Sequence, residues 1–233
     1  PEGVHLRGAC VAETVLTRET CDEYEDAVVV VSGGTTTIRD LTIADAPCAG
    51  VLVRDGTPTV HDIAVRGTMR SGLRVDAGTT TAHDILIEGT RPRASDGNAG
   101  QGVFTNEAGS IALERASLVE NTSWGILLDS TGSSTVRDVG IQDTSHNKLG
   151  AAGTGIEAAA GHVLAAERVV VEGGHTGVAI DASDATFADL VVRDPSPDPE
   201  TGLFGRCLQA FSGSTATVDG MFGSACYNVW LLA

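Results

Sequence analysis

The sequence predicts an all-β chain wound as a parallel β-helix, a β-solenoid of about eight coils with about 22 residues in each. Three observations predict it. The chain repeats itself at a nearly fixed period. Each repeat carries two runs of alternating apolar residues and no stretch of ten or more with helical spacing. Composition adds the third: 42% apolar and 29 glycines, but only 4% aromatic. A narrow coil filled by β-branched residues has little room for rings.

The elements follow in order. Residues 1–26 precede the repeat and read as an irregular N-terminal capping coil, with Val4, Leu6, Val11 and Val15 facing inward; residues 27–233 read as the β-helix. From Ala27 the chain divides into lines such as AGVLVRDGTPTVHDIAVRGTMR and QGVFTNEAGSIALERASLVENTS, of 22, 22, 30, 23, 30, 22, 30 and 22 residues, before the stub NVWLLA. The first strand of a line alternates strictly, as in Val51/Val53, Leu73/Val75, Val103/Thr105, Ile126/Leu128 and Val178/Ile180. The second spaces its apolar residues by three and then two, as in Val60, Ile63, Val65 and Ala82, Ile85, Ile87. That spacing demands a bend after the first apolar position. Coil then stacks on coil, and Val/Ile ladders fill the interior. Three lines are longer because RPRASDGNAG, SHNKLGAAG and PSPDPETGLFG are inserted at one edge of the coil in alternate repeats. The inserts should project about 9–10 Å apart. Long loops gathered on one flank of a solenoid are where binding concentrates.

In its coil pattern, GV-x-V followed by T-x-T-h-x-D-h-x-h, the chain resembles the right-handed parallel β-helix proteins, especially the pectate-lyase-like superfamily, over residues 27–233. The resemblance implies a right-handed helix in a secreted or cell-surface protein, either a carbohydrate-active enzyme or a binding or structural module. The polygalacturonase signatures of that family (Asn-Thr-Asp, an Asp-Asp pair, Gly-His-Gly, Arg-Ile-Lys) do not occur here, nor does a pectate-lyase calcium cluster with its arginine.

Charge excludes other partners. With 31 acidic and 15 basic residues the net charge is −16, so a phosphate backbone would be repelled, and no nucleic-acid partner is expected. The longest apolar run, 27–31, is far below the ~20 residues of a membrane span. Five cysteines, Cys10, Cys21, Cys48, Cys207 and Cys226, cluster near the two ends, which suggests disulfide-stapled ends and an oxidising compartment, with one thiol left over. The chain opens on Pro1 rather than Met and reads as a piece of something longer. Asn121-Thr-Ser is a formal glycosylation sequon.

Stacked coils align equivalent positions into outward columns. Arg39, His61, His83, Glu114, Arg137 and Glu167 form one; Asp40, Asp62, Asp84, Arg115, Asp138, Arg168 and Asp189 form its neighbour, alternating in sign from Asp84 onward as a ladder of exposed ion pairs. Beside the inserted loops runs a mixed strip: Arg74 and Asp76, Phe104 and Asn106, Leu127 and Asp129, Glu157, Asp181 and Gln209. Arg74, Phe104, Asn106, Asp129 and Gln209, with His146 and Lys148 from the second loop, are the expected ligand-binding residues, Phe104 stacking on a sugar face. Asp76, Asp129, Glu157 and Asp181 are the catalytic candidates, because carboxylates two coils apart approach the separation used by inverting glycosidases. No cofactor is expected; calcium is the ion such an oxygen-rich strip would chelate. Apolar Leu86, Val170, Val191 and Phe222 at outward positions point to a flanking domain or a homo-oligomer. The expected function is non-catalytic binding of a carbohydrate or similar extended ligand in a loop-lined groove. The alternatives are a polysaccharide lyase, glycoside hydrolase or epimerase, and a structural or adhesive segment of a larger surface protein.

Overall fold

The computed structural model describes residues 3–21, 26–146, 153–197 and 205–226, together with the backbone of 228–231. The chain forms an all-β parallel solenoid, and no helix occurs among the described residues. Its strands in chain order are β1 (Val4–Arg7), β2 (Val15–Leu16), β3 (Ala27–Ser32), β4 (Thr36–Ala44), β5 (Ala49–Asp55), β6 (Thr59–Arg66), β7 (Ser71–Val75), β8 (Thr79–Glu88), β9 (Gln101–Glu107) and β10 (Ser110–Val119). They continue as β11 (Trp124–Ser130), β12 (Ser133–Gln142), β13 (Thr154–Ala159), β14 (Val163–Glu172), β15 (Thr176–Asp181), β16 (Asp184–Arg193), β17 (Arg206–Phe211), β18 (Thr215–Ser224) and β19 (Asn228–Leu231). Strands alternate between two sheets. The odd strands from β3 onward make a nine-stranded sheet and the even strands from β4 onward, joined by β1 and β2, a ten-stranded one. Every pairing is parallel, so each coil adds one strand to each sheet.

Alternation puts the expected residues inside. Val51, Val53, Leu73, Val75, Val103, Ile126, Leu128, Val178 and Ile180 are fully buried, and the three-then-two sets of the second strands form the opposite wall of the same core. The bend also lies where the spacing demands it. Asp40, Asp62, Asp84, Arg115, Asp138, Arg168 and Asp189 adopt φ between 50° and 59°, a left-handed kink inside each long strand. Aspartate tolerates that region better than most residues. The charged column is therefore also the corner of the coil, and its charge points to solvent because a kinked residue turns its side chain outward.

The six opening strands β5, β7, β9, β11, β13 and β15 each carry at their second position a glycine with no room for a side chain. A β-carbon on Gly125 would lie 2.5 Å from Ile141 and 2.7 Å from the Gly155 carbonyl, and Gly50, Gly72, Gly102, Gly155 and Gly177 are crowded in the same way. The glycines that open the sequence lines thus mark a column without room for side chains.

Disulfides join Cys21 to Cys48 and Cys207 to Cys226, one at each end, and Cys10 is the free thiol. Three expectations need correction. The capping coil is not wholly irregular, since β1 and β2 both pair with β4. Val15 faces outward and is 55% exposed, while its neighbour Leu16 packs on the core; Val4 faces the open end of the coil and is 43% exposed. Asn121 is fully buried: its Oδ1 accepts from Thr90 Oγ1 at 2.8 Å and its Nδ2 donates to the Ile87 carbonyl at 3.4 Å. A glycan has no room there, so the sequon is a core hydrogen-bonding position.

Candidate functional site

The outer face of the nine-stranded sheet carries the expected strip. Arg74, Phe104, Leu127, Glu157, Ala179 and Gln209 are in register on successive strands, β7 to β17. Asn106, Asp129 and Ala159 form the next column, continued by Asp181 and Phe211. A third column, Ser71, Gln101, Trp124, Thr154, Thr176 and Arg206, lies at the loop edge. The connections β8–β9, β12–β13 and β16–β17 are long, and those between them are short, so the insertions do lie at one edge in alternate coils.

Two clusters organise the strip. In the first, Arg74 Nε donates to Asp76 Oδ1 at 2.5 Å, and the guanidinium carbon lies 5.6 Å from the centre of the Phe104 ring, within cation–π reach. Arg74 is only 9% exposed, so this pair forms a fixed floor. In the second, Trp124 Nε1 donates to Glu157 Oε2 at 2.7 Å. Burial pushes the Glu157 carboxyl above its ordinary range; the Trp124 hydrogen bond opposes that shift, and the negative fields of Asp181 and Asp129 reinforce it. Asp129 and Asp181 stand on strands either side of β13, two strand spacings or about 9.6 Å apart, with the small Ala159 between them. Chemically, the strip offers one carboxyl whose proton affinity burial raises, an exposed and a half-buried carboxylate (Asp129 and Asp181) and two aromatic rings.

The remaining candidates are dispersed. Gln209, 8% exposed, accepts from Arg206 Nη1 at 2.9 Å, and Asn106 is half-buried one strand from Asp129. His146 lies at the loop edge, its Nε2 buried without a partner and its ring 5.9 Å from that of His175. His175 Nδ1 in turn bonds the Ser196 carbonyl at 3.1 Å and holds the start of the third loop. Lys148 lies outside the described residues. Among the described residues no three His, Cys, Asp or Glu side chains gather to hold a metal ion. Asp76 is committed to Arg74.

The second charged face is structural in its contacts. Arg115 bonds Asp84 at 2.7 and 2.8 Å, and Arg168 bonds Asp138 at 2.5 and 2.8 Å, so each arginine reaches back one coil to an aspartate. Hydrogen bonds from Arg115 and then His83 hold Asp84 far below the usual carboxylate range. His61 and His83 stack with centroids 4.9 Å apart, each with Nδ1 on the aspartate that follows it. A groove of about 520 Å³ runs over this face, lined by His83, Glu114, Arg137, Glu167 and a row of threonines.

Two features escaped the sequence reading. Trp124 stands immediately before a coil-opening glycine; aligning the residues at that position places it beside Thr154, in the same coil as Glu157, but does not show that its ring reaches across to that carboxylate. His162 is buried at the corner between β13 and β14, with Nδ1 2.8 Å from Ser130 Oγ and Nε2 2.9 Å from Ser134 Oγ. Burial pushes its imidazole below the ordinary histidine range. No spacing signal marks it, because every neighbouring coil has a different residue there. Comparison with protein-family models, with curated proteins and with solved structures yields no match to this chain.

Proposed function

We propose that this solenoid binds a carbohydrate or similar extended ligand along the outer face of the nine-stranded sheet, without catalysis, in a secreted or cell-surface setting. The observation that carries the reading is the in-register strip beside the loop row. Phe104 and Trp124 offer ring faces, while Asn106, Asp129 and Asp181 offer hydroxyl acceptors, all at the strand repeat. An extended polymer meets such a repeat with its own. The two disulfides support an oxidising location. Carboxylates along the strip repel polyuronates and favour neutral or cationic glycans. A glycan array followed by titration calorimetry tests the proposal. Binding should weaken roughly tenfold in Phe104→Ala, as expected for about 1.4 kcal/mol of lost ring contact. Absence of binding to any glycan at about 1 mM removes it.

One observation favours the enzymatic alternative. A raised carboxyl, Glu157, between an exposed and a half-buried carboxylate is the pairing of acid and base that a glycosidase or lyase needs. Turnover of a polysaccharide that is lost in both Glu157→Gln and Asp129→Asn would establish it in place of the binding reading.

A further inference from the structure

Among the described residues three buried side-chain polar atoms lack a hydrogen-bond partner: Thr80 Oγ1, Thr144 Oγ1 and His146 Nε2. The last two lie two residues apart, just beyond β12, where the second inserted loop begins. A buried polar atom without a partner is costly, so two at one place point to an ion or an ordered water there. The neighbour of His146 decides between them. It is a second imidazole, His175, whose ring centre is 5.9 Å away and whose plane is tilted by 47°.

Backbone hydrogen bonds hold both histidines in place. Ser145, the residue before His146, bridges in parallel to Thr122; its amide donates to the Asn121 carbonyl at 2.9 Å and its carbonyl accepts from the Ser123 amide at 2.7 Å. The His175 amide donates to the Gly153 carbonyl at 2.7 Å, its carbonyl accepts from the Arg206 amide at 2.9 Å, and the residue is fully buried. The tautomer of His175 follows from its side-chain partner. The Ser196 carbonyl, 3.1 Å from Nδ1, can only accept, so Nδ1 carries the proton and Nε2 keeps its lone pair. A carbonyl on Nδ1–H orients the ring and raises the basicity of Nε2, as it does for metal-binding imidazoles.

The spacing agrees. With metal–nitrogen bonds of about 2.0–2.1 Å and tetrahedral geometry, an ion on two Nε2 atoms places the ring centres about 5.2 Å apart. The observed 5.9 Å exceeds this by an amount that a small side-chain rotation closes. His61 and His83 fail the same comparison, because their planes are within 10° of parallel and their nitrogens cannot converge on one point. Neutral imidazoles suit zinc and copper, whereas calcium and magnesium require oxygen ligands. The net charge of −16 attracts a cation of either kind.

We propose that His146 and His175 together bind one late first-row divalent ion, Zn2+ or Cu2+, through their Nε2 atoms. Two protein ligands leave positions open for water or for donor groups of another molecule. The ion clips the start of the second inserted loop to His175, which itself holds Ser196 at the start of the third. The inference is independent of any ligand on the strip.

Titration calorimetry of the chelator-treated full chain with Zn2+ at neutral pH tests it, together with electron paramagnetic resonance of the Cu2+ form. One ion per chain, held more tightly than about 100 µM, is expected. The Cu2+ spectrum should show coupling to two imidazole nitrogens. His146→Ala and His175→Gln should each weaken binding at least tenfold, while the double variant His61→Ala/His83→Ala keeps the parental affinity. Zn2+ at a hundredfold excess over its Kd should raise the unfolding midpoint by about 5 °C, a rise that His146→Ala loses. Circular dichroism confirms the fold of each variant. His146 is only half-buried, so its replacement reports on the site even where His175→Gln fails to fold. Absence of binding at about 1 mM Zn2+ overturns the proposal and leaves water as the partner of His146. Binding that His146→Ala does not weaken overturns it equally.

Discussion

Replacing Gly125 by alanine adds one methyl group at a close approach between two coils, and its cost can be worked from the contacts. The new β-carbon would lie 2.5 Å from Ile141 Cγ2 and 2.7 Å from the Gly155 carbonyl oxygen. Carbon atoms reach their optimum at about 3.5–4.0 Å, so β11 would have to move outward by about 1 Å. Neither neighbour yields easily. Ile141 is fully buried, and the carbonyl belongs to the backbone of the next strand. The cost belongs at the upper end of the overpacking range, about 3 kcal/mol. Gly140→Ala, in the adjoining strand of the same coil, is the matched control. A β-carbon there meets nothing within 4 Å, and the smaller entropy of the unfolded chain should stabilise the variant by about 0.5 kcal/mol. Urea unfolding followed by far-ultraviolet circular dichroism measures both, read as a midpoint shift at constant slope. If Gly125→Ala unfolds within about 0.5 kcal/mol of the parent, the glycine column is not a steric requirement and the account of coil spacing is wrong.

Other outcomes follow from the cysteines, the buried histidine and the buried asparagine. Replacing Cys21 and Cys48 with serine releases a loop with a sequence separation of 27 and should lower stability by about 3.5 kcal/mol in the same assay, with the N-terminal coil the first to lose hydrogen-exchange protection. His162 has a folded-state pKa below its unfolded value, so the unfolded chain binds more protons. Stability is therefore complete above about pH 6.5 and falls as pH drops below it, and His162→Asn should flatten that decline in unfolding midpoints measured from pH 8 to 5 (about the imidazole range). Glu157 acts oppositely: its raised pKa makes its contribution largest in acid, and it is lost as pH rises through the folded value, a trend that Glu157→Gln should remove. Asn121→Ala removes the acceptor of the Thr90 amide, while the Thr90 hydroxyl keeps the Gly100 carbonyl, and should cost about 2 kcal/mol; peptide mass spectrometry of chain made in a glycosylating host should find Asn121 unmodified.

The fold was legible because its rules act at short range. Strand alternation identified Val103 and Ile126 as core, and the three-residue step in Ile85 and Val139 located a bend that the left-handed Asp84 and Asp138 supply. The ends were less legible. Val15 and Leu16 are both apolar, and only the pairing of β2 with Thr42 and Ile43 decides which of them faces inward. The strip was readable as columns, since Phe104 and Leu127 share a register, but the chemistry within it was not. Whether Arg74 is available depends on Asp76 two residues along the same strand, and the state of Glu157 depends on Trp124, 33 positions earlier. Sequence periodicity carries position, whereas protonation and pairing depend on side-chain conformation.

The alternate-coil insertions make this chain a molecular ruler. Ladder pairing on either side of β8–β9, β12–β13 and β16–β17 is unbroken. The lengths of these connections therefore vary without disturbing the scaffold, as if each were a socket. Foreign peptides grafted into the three sockets would be presented in a straight row at steps of about 9.6 Å. Such spacing suits display of short epitopes or bivalent ligands whose avidity depends on a fixed separation. The same tolerance offers evolution a route to new surface chemistry in which the coil itself need not change.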